Sequence, residues 1–272
     1  VLVELPTYIG GTASFYARSA QLQGVAQDDD GIVPESLEEA AARLRPKLVY
    51  TIPNFQNPSG RLMAQDRRAQ VLALADQYDF LVIEDDPYGE LVYVDGADTT
   101  AMKSHDSAGR VLYLGSFSKV LAPGLRCGWI VAPLELAAKL EIAKQAADLC
   151  SGMLDQSIVD EFVAAGHLPA QIRKVRDFYR GKRGTLIEAL ARHFTGRATW
   201  TSADGGLFSF VTFPEGVDTG AKVEEAVKRG VAYIPGAPFF VNGSGANTMR
   251  LTFAKESDEN IREGVRRLAE VF

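Results

Sequence analysis

Residues 115–129 read GSFSKVLAPGLRCGW, so two hydroxyls, Ser116 and Ser118, stand just before Lys119, and Arg126 follows seven residues after it. A lysine amine can condense with a carbonyl if part of it is unprotonated, a state favoured by desolvation and by nearby positive charge. Arg126 would supply that charge. A hydroxyl pair with an arginine is also what a phosphate monoester needs for charge-assisted hydrogen bonds. Two more polar clusters share the device: NFQNPSG, containing Asn57, and EDDPYGE, containing Asp85 and Tyr88. An aspartate can keep a pyridine nitrogen protonated, and an amide with a phenol can bond a phenolate oxygen. Singly, each residue has a plainer reading. Asn57 before Pro58 starts a turn, Asp85 and Asp86 cap a segment, Tyr88 and the serines sit in loops, and Arg126 makes a surface ion pair.

What joins them is the pattern of elements that must carry them. VLVELP, KLVYTI, FLVIEDD and RVLYLGS are short apolar runs, and CGWIVA is a further strand candidate. Helical spacing occupies the intervals: PESLEEAAARLR, with Pro34 in its first turn, and residues 62–79, with Val71, Leu74, Ala75 and Tyr78 on one face. Alternating helices and fully apolar strands predict an α/β fold, a mostly parallel sheet sandwiched by helices. In such sheets ligands bind beyond the carboxyl ends of the strands, where all three clusters fall. Past about residue 150 the pattern changes to a long helix over about 169–194, then GGLFSFVTF, a helix near 218–229, VAYIP, TMRLTF and a last helix from about 257. This predicts a large domain over 1–175 and a smaller α+β domain over 176–272.

Composition removes other classes of function. The chain has 272 residues, 46% hydrophobic and 24% charged, enough for a large core, with a formal net charge of −6 that disfavours a phosphate-tracking nucleic-acid role. The basic run RKVRDFYRGKR (173–183) reads as the wet face of a helix. No run of apolar residues is long enough for a membrane span, and no signal-peptide pattern opens the chain. Cys127 and Cys150 form no CxxC pair, and His105, His167 and His193 share no metal-ligand spacing. The expectation is a cytoplasmic protein in a reducing compartment, without a structural metal.

Taken together, NPSG, EDDPY, GSFSKVLAPGLRCGW, GGLFSF and MRLTF resemble, in order and spacing, the fold type I pyridoxal-phosphate enzymes. Within these the chain is most similar to class I/II aminotransferases of the α-aminoadipate, aromatic and kynurenine branch. The resemblance runs from ELPTY to the C-terminal helix. It implies pyridoxal 5'-phosphate as cofactor, a homodimer, and transfer of an amino group between an amino acid and a 2-oxo acid such as 2-oxoglutarate. It makes Lys119 the Schiff-base lysine and proton shuttle, Asp85 the partner of the pyridine nitrogen, and Asn57 and Tyr88 the partners of the ring hydroxyl oxygen. Ser116, Ser118 and Arg126 become the phosphate ligands, Tyr8 the aromatic over the ring and Arg250 the clamp for the substrate carboxylate. Gly206 is expected to line the substrate pocket beside Arg250. The resemblance also implies that family members carry a segment ahead of ELPTY, so a chain opening on Val1 is expected to start within the fold and to bind cofactor weakly by itself. Two other readings stay open: an aminotransferase-like sensor domain of a DNA-binding regulator, and a lyase reaction on the same cofactor. The wording FQNPSG and EDDPYGEL favours the enzyme over the regulator.

Overall fold

The computed structural model describes residues 1–272. The first part builds a seven-stranded sheet from β1 (Leu2–Leu5), β2 (Gln23–Asp28), β3 (Gly31–Ile32), β4 (Leu48–Thr51), β5 (Leu81–Asp86), β6 (Val111–Ser116) and β7 (Gly128–Val131), in the order β3-β2-β1-β4-β5-β6-β7. β2, β1, β4, β5 and β6 run parallel, and the two edge strands β3 and β7 are antiparallel to their neighbours. The short α1 (Ile9–Tyr16) follows β1, while α2 (Pro34–Leu44) and α3 (Gln65–Tyr78) supply crossovers.

Alternation along each strand divides the core in two. Leu2, Val49, Val82 and Val111 pack against Leu37 and Ala41 of α2 and Val71, Leu74 and Ala75 of α3. Val3 and Tyr50, one residue along, join a second core that includes Leu186, Leu190 and Phe194. Those three lie on α6 (Leu168–Phe194), which is preceded by α4 (Leu134–Asp148) and α5 (Met153–Ala164). The second core continues into an antiparallel sheet of order β10-β11-β9-β8, built from β8 (Thr199–Trp200), β9 (Phe208–Thr212), β10 (Ile234–Pro235) and β11 (Thr248–Thr252). α7 (Val223–Lys228) and α8 (Asp258–Ala269) complete it, α8 being capped by Ser257, whose Oγ accepts from Asn260 N at 3.1 Å. The 175/176 division falls within α6.

Two features differ from the sequence reading. The basic run on α6 is more than a wet face: Arg176 donates to the Glu90 carbonyl and carboxylate, Arg180 to Tyr93 O, and Arg183 to Ser202 O, Ala203 O and Asp204. These bonds pin the segments after β5 and after β8 to the long helix. β7 also lacks the cover expected of a sandwiched strand, all four of its residues being exposed. No helix is long and apolar enough to cross a membrane.

Candidate active site

The carboxyl ends of β1, β4, β5 and β6 deliver the predicted residues to one edge of the sheet. After β4, Asn57 is buried, and its Oδ1 accepts from Arg250 Nη1 at 2.7 Å, a bond across 193 residues of chain. Arg250, on β11, has its guanidinium 4.3 Å from the centroid of the Phe208 ring and 5.1 Å from that of Phe239, so cation–π contacts fix its direction. Tyr88 is buried edge-on to Phe208, and burial, with the nearby Asp85 charge, drives its phenol well above the ordinary range. Tyr8, just before α1, folds its ring over Gly10 and is close enough to act electrostatically on Tyr88 and Arg250.

Asp85 closes β5. Its Oδ2 accepts from the Tyr50 hydroxyl at 2.6 Å. The other oxygen has no partner, yet among fully buried side-chain polar atoms only Thr7 Oγ1 lacks one, so Asp85 Oδ1 faces open space. Burial raises the Asp85 pKa, the Tyr50 bond opposes the rise, and Asp86 adds to it. None of these influences is a cation, which leaves a desolvated acid suited to a positively charged ligand atom.

Beyond β6 the chain turns sharply. Ser116 Oγ accepts from Ser118 N at 3.1 Å, and Lys119 follows within the turn, half-buried, with no hydrogen bond or ion pair inside the chain. Burial lowers its pKa, and the charges of Arg126 and then Arg250 lower it further. This is the unpartnered amine with cationic neighbours that the spacing anticipates. Arg126 is exposed, at φ 52°, a left-handed backbone conformation costing a non-glycine residue about 1–2 kcal/mol. Gly115 is required where β6 pairs with β7: a Cβ there would come within 2.2 Å of the Trp129 ring.

Gly206 lies against the buried Phe55. Its φ is 67°, a Cβ would meet Phe55 Cβ at 2.8 Å, and its carbonyl accepts from the Tyr93 hydroxyl at 2.5 Å. These contacts make it a turn glycine packed on Phe55.

Sequence reasoning passed over the polar residues behind the site. Glu4 is wholly buried and accepts from Thr51 Oγ1 at 2.6 Å, Ile52 N at 3.2 Å and Gln56 Nε2 at 3.0 Å. Burial outweighs these bonds and pushes its carboxyl up to about 7. Gln56 also bonds Pro6 O at 2.6 Å and accepts from Ser59 N at 2.8 Å, tying the loop that carries Tyr8 to the loop that carries Asn57. An acid inside the apolar run VLVELP was the available signal.

Comparison with known proteins gives these groups a family. The sequence matches the family described as aminotransferase class I and II over residues 1–268, and the chain belongs to that family. It is 44% identical over 275 residues to aromatic-amino-acid aminotransferase 1 of Thermococcus litoralis, covering 99% of this chain and 66% of the relative. It superposes with a TM-score of 0.94 and 37% identity on the α-aminoadipate aminotransferase LysN of Thermus thermophilus, solved with N-(5'-phosphopyridoxyl)-L-leucine, covering all of this chain and 70% of that one. An uncharacterized HTH-type transcriptional regulator of Bacillus subtilis, YdfD, is 32% identical over 97% of this chain and 54% of its own length. The chain thus spans about two thirds of the length of the aminotransferases and about half that of the regulator.

The cofactor of the family is pyridoxal phosphate, and the donor set fits it. A free amine, a desolvated acid with one open oxygen, an amide beside a phenol, and two hydroxyls with an arginine match its carbonyl, ring nitrogen, hydroxyl and phosphate in turn.

Proposed function

We propose that the protein is a pyridoxal-phosphate-dependent aminotransferase that moves an amino group between an amino acid, of the 2-aminoadipate, aromatic or aliphatic type, and a 2-oxo acid such as 2-oxoglutarate. The observation that carries this reading is Lys119, an amine free of any partner in the chain and depressed by burial, Arg126 and Arg250. When bound, pyridoxal phosphate supplies an electron sink for the pair released at the substrate Cα and a carbon that carries nitrogen from donor to acceptor.

The side chains have separate tasks. Ser116, Ser118 and Arg126 hold the phosphate. Asp85, through the oxygen that Tyr50 leaves free, keeps a proton on the ring nitrogen. Asn57 and Tyr88 hold the ring hydroxyl oxygen, and Tyr8 lies over the ring face. Arg250 takes the substrate carboxylate bidentately, a task for which lysine is poorly shaped. Lys119 Nζ takes the proton from the substrate Cα and returns it on the far side of the transfer, as base and then acid. Gly206 shapes the turn behind this wall, its positive φ excluding larger residues. All but Arg250 and Gly206 come from 1–175, the part we read as the cofactor-binding domain, and those two come from the smaller domain, 176–272.

A homodimer and a cytoplasmic setting belong to the same reading. The dimer is supported by Leu134, Ile142, Leu149, Met153 and Leu154, a run of exposed large apolar side chains along α4, the turn after it and the start of α5. A second reading, a sensor domain in a regulator, draws on the likeness to YdfD.

The test is to incubate the protein with pyridoxal phosphate, reduce with borohydride and map the labelled peptide. The label is expected on Lys119, and a label on any other lysine overturns the assignment. Lys119→Ala is expected to cost at least about a hundred- to ten-thousandfold in amino transfer to 2-oxoglutarate, the range for a lost acid–base group. Retained turnover in this variant contradicts the mechanism.

A further inference from the structure

Tyr50 lies outside the set just described, yet it makes the only hydrogen bond that the Asp85 carboxylate has. It belongs to β4 and pairs in register with Ile83 of β5, so Asp85, two residues further on the same face, is its diagonal neighbour. The ring cannot swing away. Its edge meets Phe15 of α1 at 5.7 Å and 71°, and Gly11 of the same helix lies against it so closely that a Cβ would approach to 2.8 Å. The hydroxyl is a permanent donor, because burial and the neighbouring Asp85 charge hold the phenol well above its ordinary pKa.

We infer that Tyr50 is a positioning residue for Asp85: its clamped hydroxyl engages Oδ2, turns Oδ1 toward the ligand space and keeps the carboxyl ionised against the pull of its buried surroundings. The inference rests on the reading of Asp85 as the partner of the cofactor ring nitrogen. The groups that face Asp85 are all acids or phenols: Asp86 on the same strand, Glu4 on β1, Tyr88 beyond the strand end and Tyr50 itself. Without a cation among them, the Tyr50 proton is what this chain supplies in favour of the charged form. A hydrogen bond donated to a carboxylate lowers its pKa, so removal of the phenol hydroxyl raises it. A neutral Asp85 then holds the ring proton less well. With pyridoxal phosphate bound at Lys119, a ring carrying less positive charge would let the joining nitrogen take up a proton more readily.

Tyr50→Phe keeps the ring that packs on Phe15 and removes only the donor. Two measurements test it. In the protein without cofactor, the Asp85 carboxyl carbon, followed by NMR as pH is varied, is expected to titrate about one pH unit or more higher in Tyr50→Phe than in the unaltered protein, the worth of one hydrogen bond to a charged group. With pyridoxal phosphate bound, the pH midpoint of its visible absorption is expected to move upward. Tyr113→Phe is the control: its hydroxyl donates to the adjacent Asp86 at 3.2 Å, and its loss should raise neither midpoint. An unchanged Asp85 midpoint in a folded Tyr50→Phe protein, or equal shifts from both variants, overturns the inference. If the unaltered protein takes up no cofactor even at millimolar pyridoxal phosphate, the functional reading fails while the carboxyl titration still decides the role of Tyr50. Should Tyr50→Phe fail to fold, Phe15→Leu loosens the clamp from the other side, and an unmoved Asp85 midpoint in that variant counts against the proposal.

Discussion

Two flanks of the same sheet are built on opposite terms. Behind the ends of β1, β4 and β5, polar groups are buried and bonded to one another. Glu4 and Gln56 bridge two loops, and the fully buried Arg68 donates to Met63 O, Thr100 O, Pro53 O and Asn54 Oδ1. At the other flank, β7, α4 and α5 bury almost nothing: Leu134 is 88% exposed and Leu149 80%. The candidate site straddles the two. Asp85, Asn57 and Tyr88 stand on the bonded flank, and Ser116, Ser118 and Arg126 occupy the loop that leads into the open one. Asp85, Asn57 and Tyr88 are therefore held by the fold of this chain, whereas the loop of Ser116, Ser118 and Arg126 has an apolar neighbour still available for association.

Substitution separates the flanks most sharply at Arg68. Arg68→Met retains volume but strips the donors from three carbonyls and an amide oxygen, a loss of about 3–5 kcal/mol in unfolding free energy by urea titration. A loss below about 1 kcal/mol would mean that the buried network does not carry the bonded flank. Glu4 sharpens the same contrast through pH. Its carboxyl is raised from 4.5 to about 7 by burial, so the native state binds the extra proton. Stability from this group is fully present below the unfolded value and is lost as pH rises through about 7, on the order of 3 kcal/mol in all. Asp85, Asp86 and Glu84 are shifted in the same direction, so the difference between the protein and Glu4→Gln isolates the one carboxyl. The expected result is a shallower fall in melting temperature across that window for the variant. Leu134→Lys should do least. Being exposed, it is expected to change stability by no more than about 0.5 kcal/mol while abolishing self-association in sedimentation runs at increasing concentration. Unaltered association would remove the apolar flank from the dimer reading.

The legible parts of the sequence were those in which one rule spoke without competition. The strands β4, β5 and β6 read as apolar runs with polar ends because both faces are covered, and the three clusters therefore had an address. α3 and α6 were legible by period. α1 was not, since IGGTASFY carries two glycines and buries only Thr12. β2, QGVAQD, offers one buried apolar residue, and α4 offers none, so neither shows the stripe from which an element is recognised. In the site, residues with a distinctive chemical type, such as Lys119 and Asp85, were named, while Tyr50 and Gln56 were not. Their importance lies in whom they touch across 35 and 50 residues of chain, which spacing along a single strand does not encode.

Arg250 carries a thermodynamic consequence. Held over two aromatic rings and bonded to Asn57, its long side chain has already given up its rotamer freedom during folding. On the reading of Arg250 as the carboxylate partner, an arriving acid meets a guanidinium that needs no further ordering, and binding gains what would otherwise be lost as conformational entropy. That advantage is the same for every 2-amino or 2-oxo acid, whatever follows its second carbon. The preorganised arginine therefore raises affinity across the whole class without ranking its members, and any preference among substrates has to arise from the walls that meet the side chain.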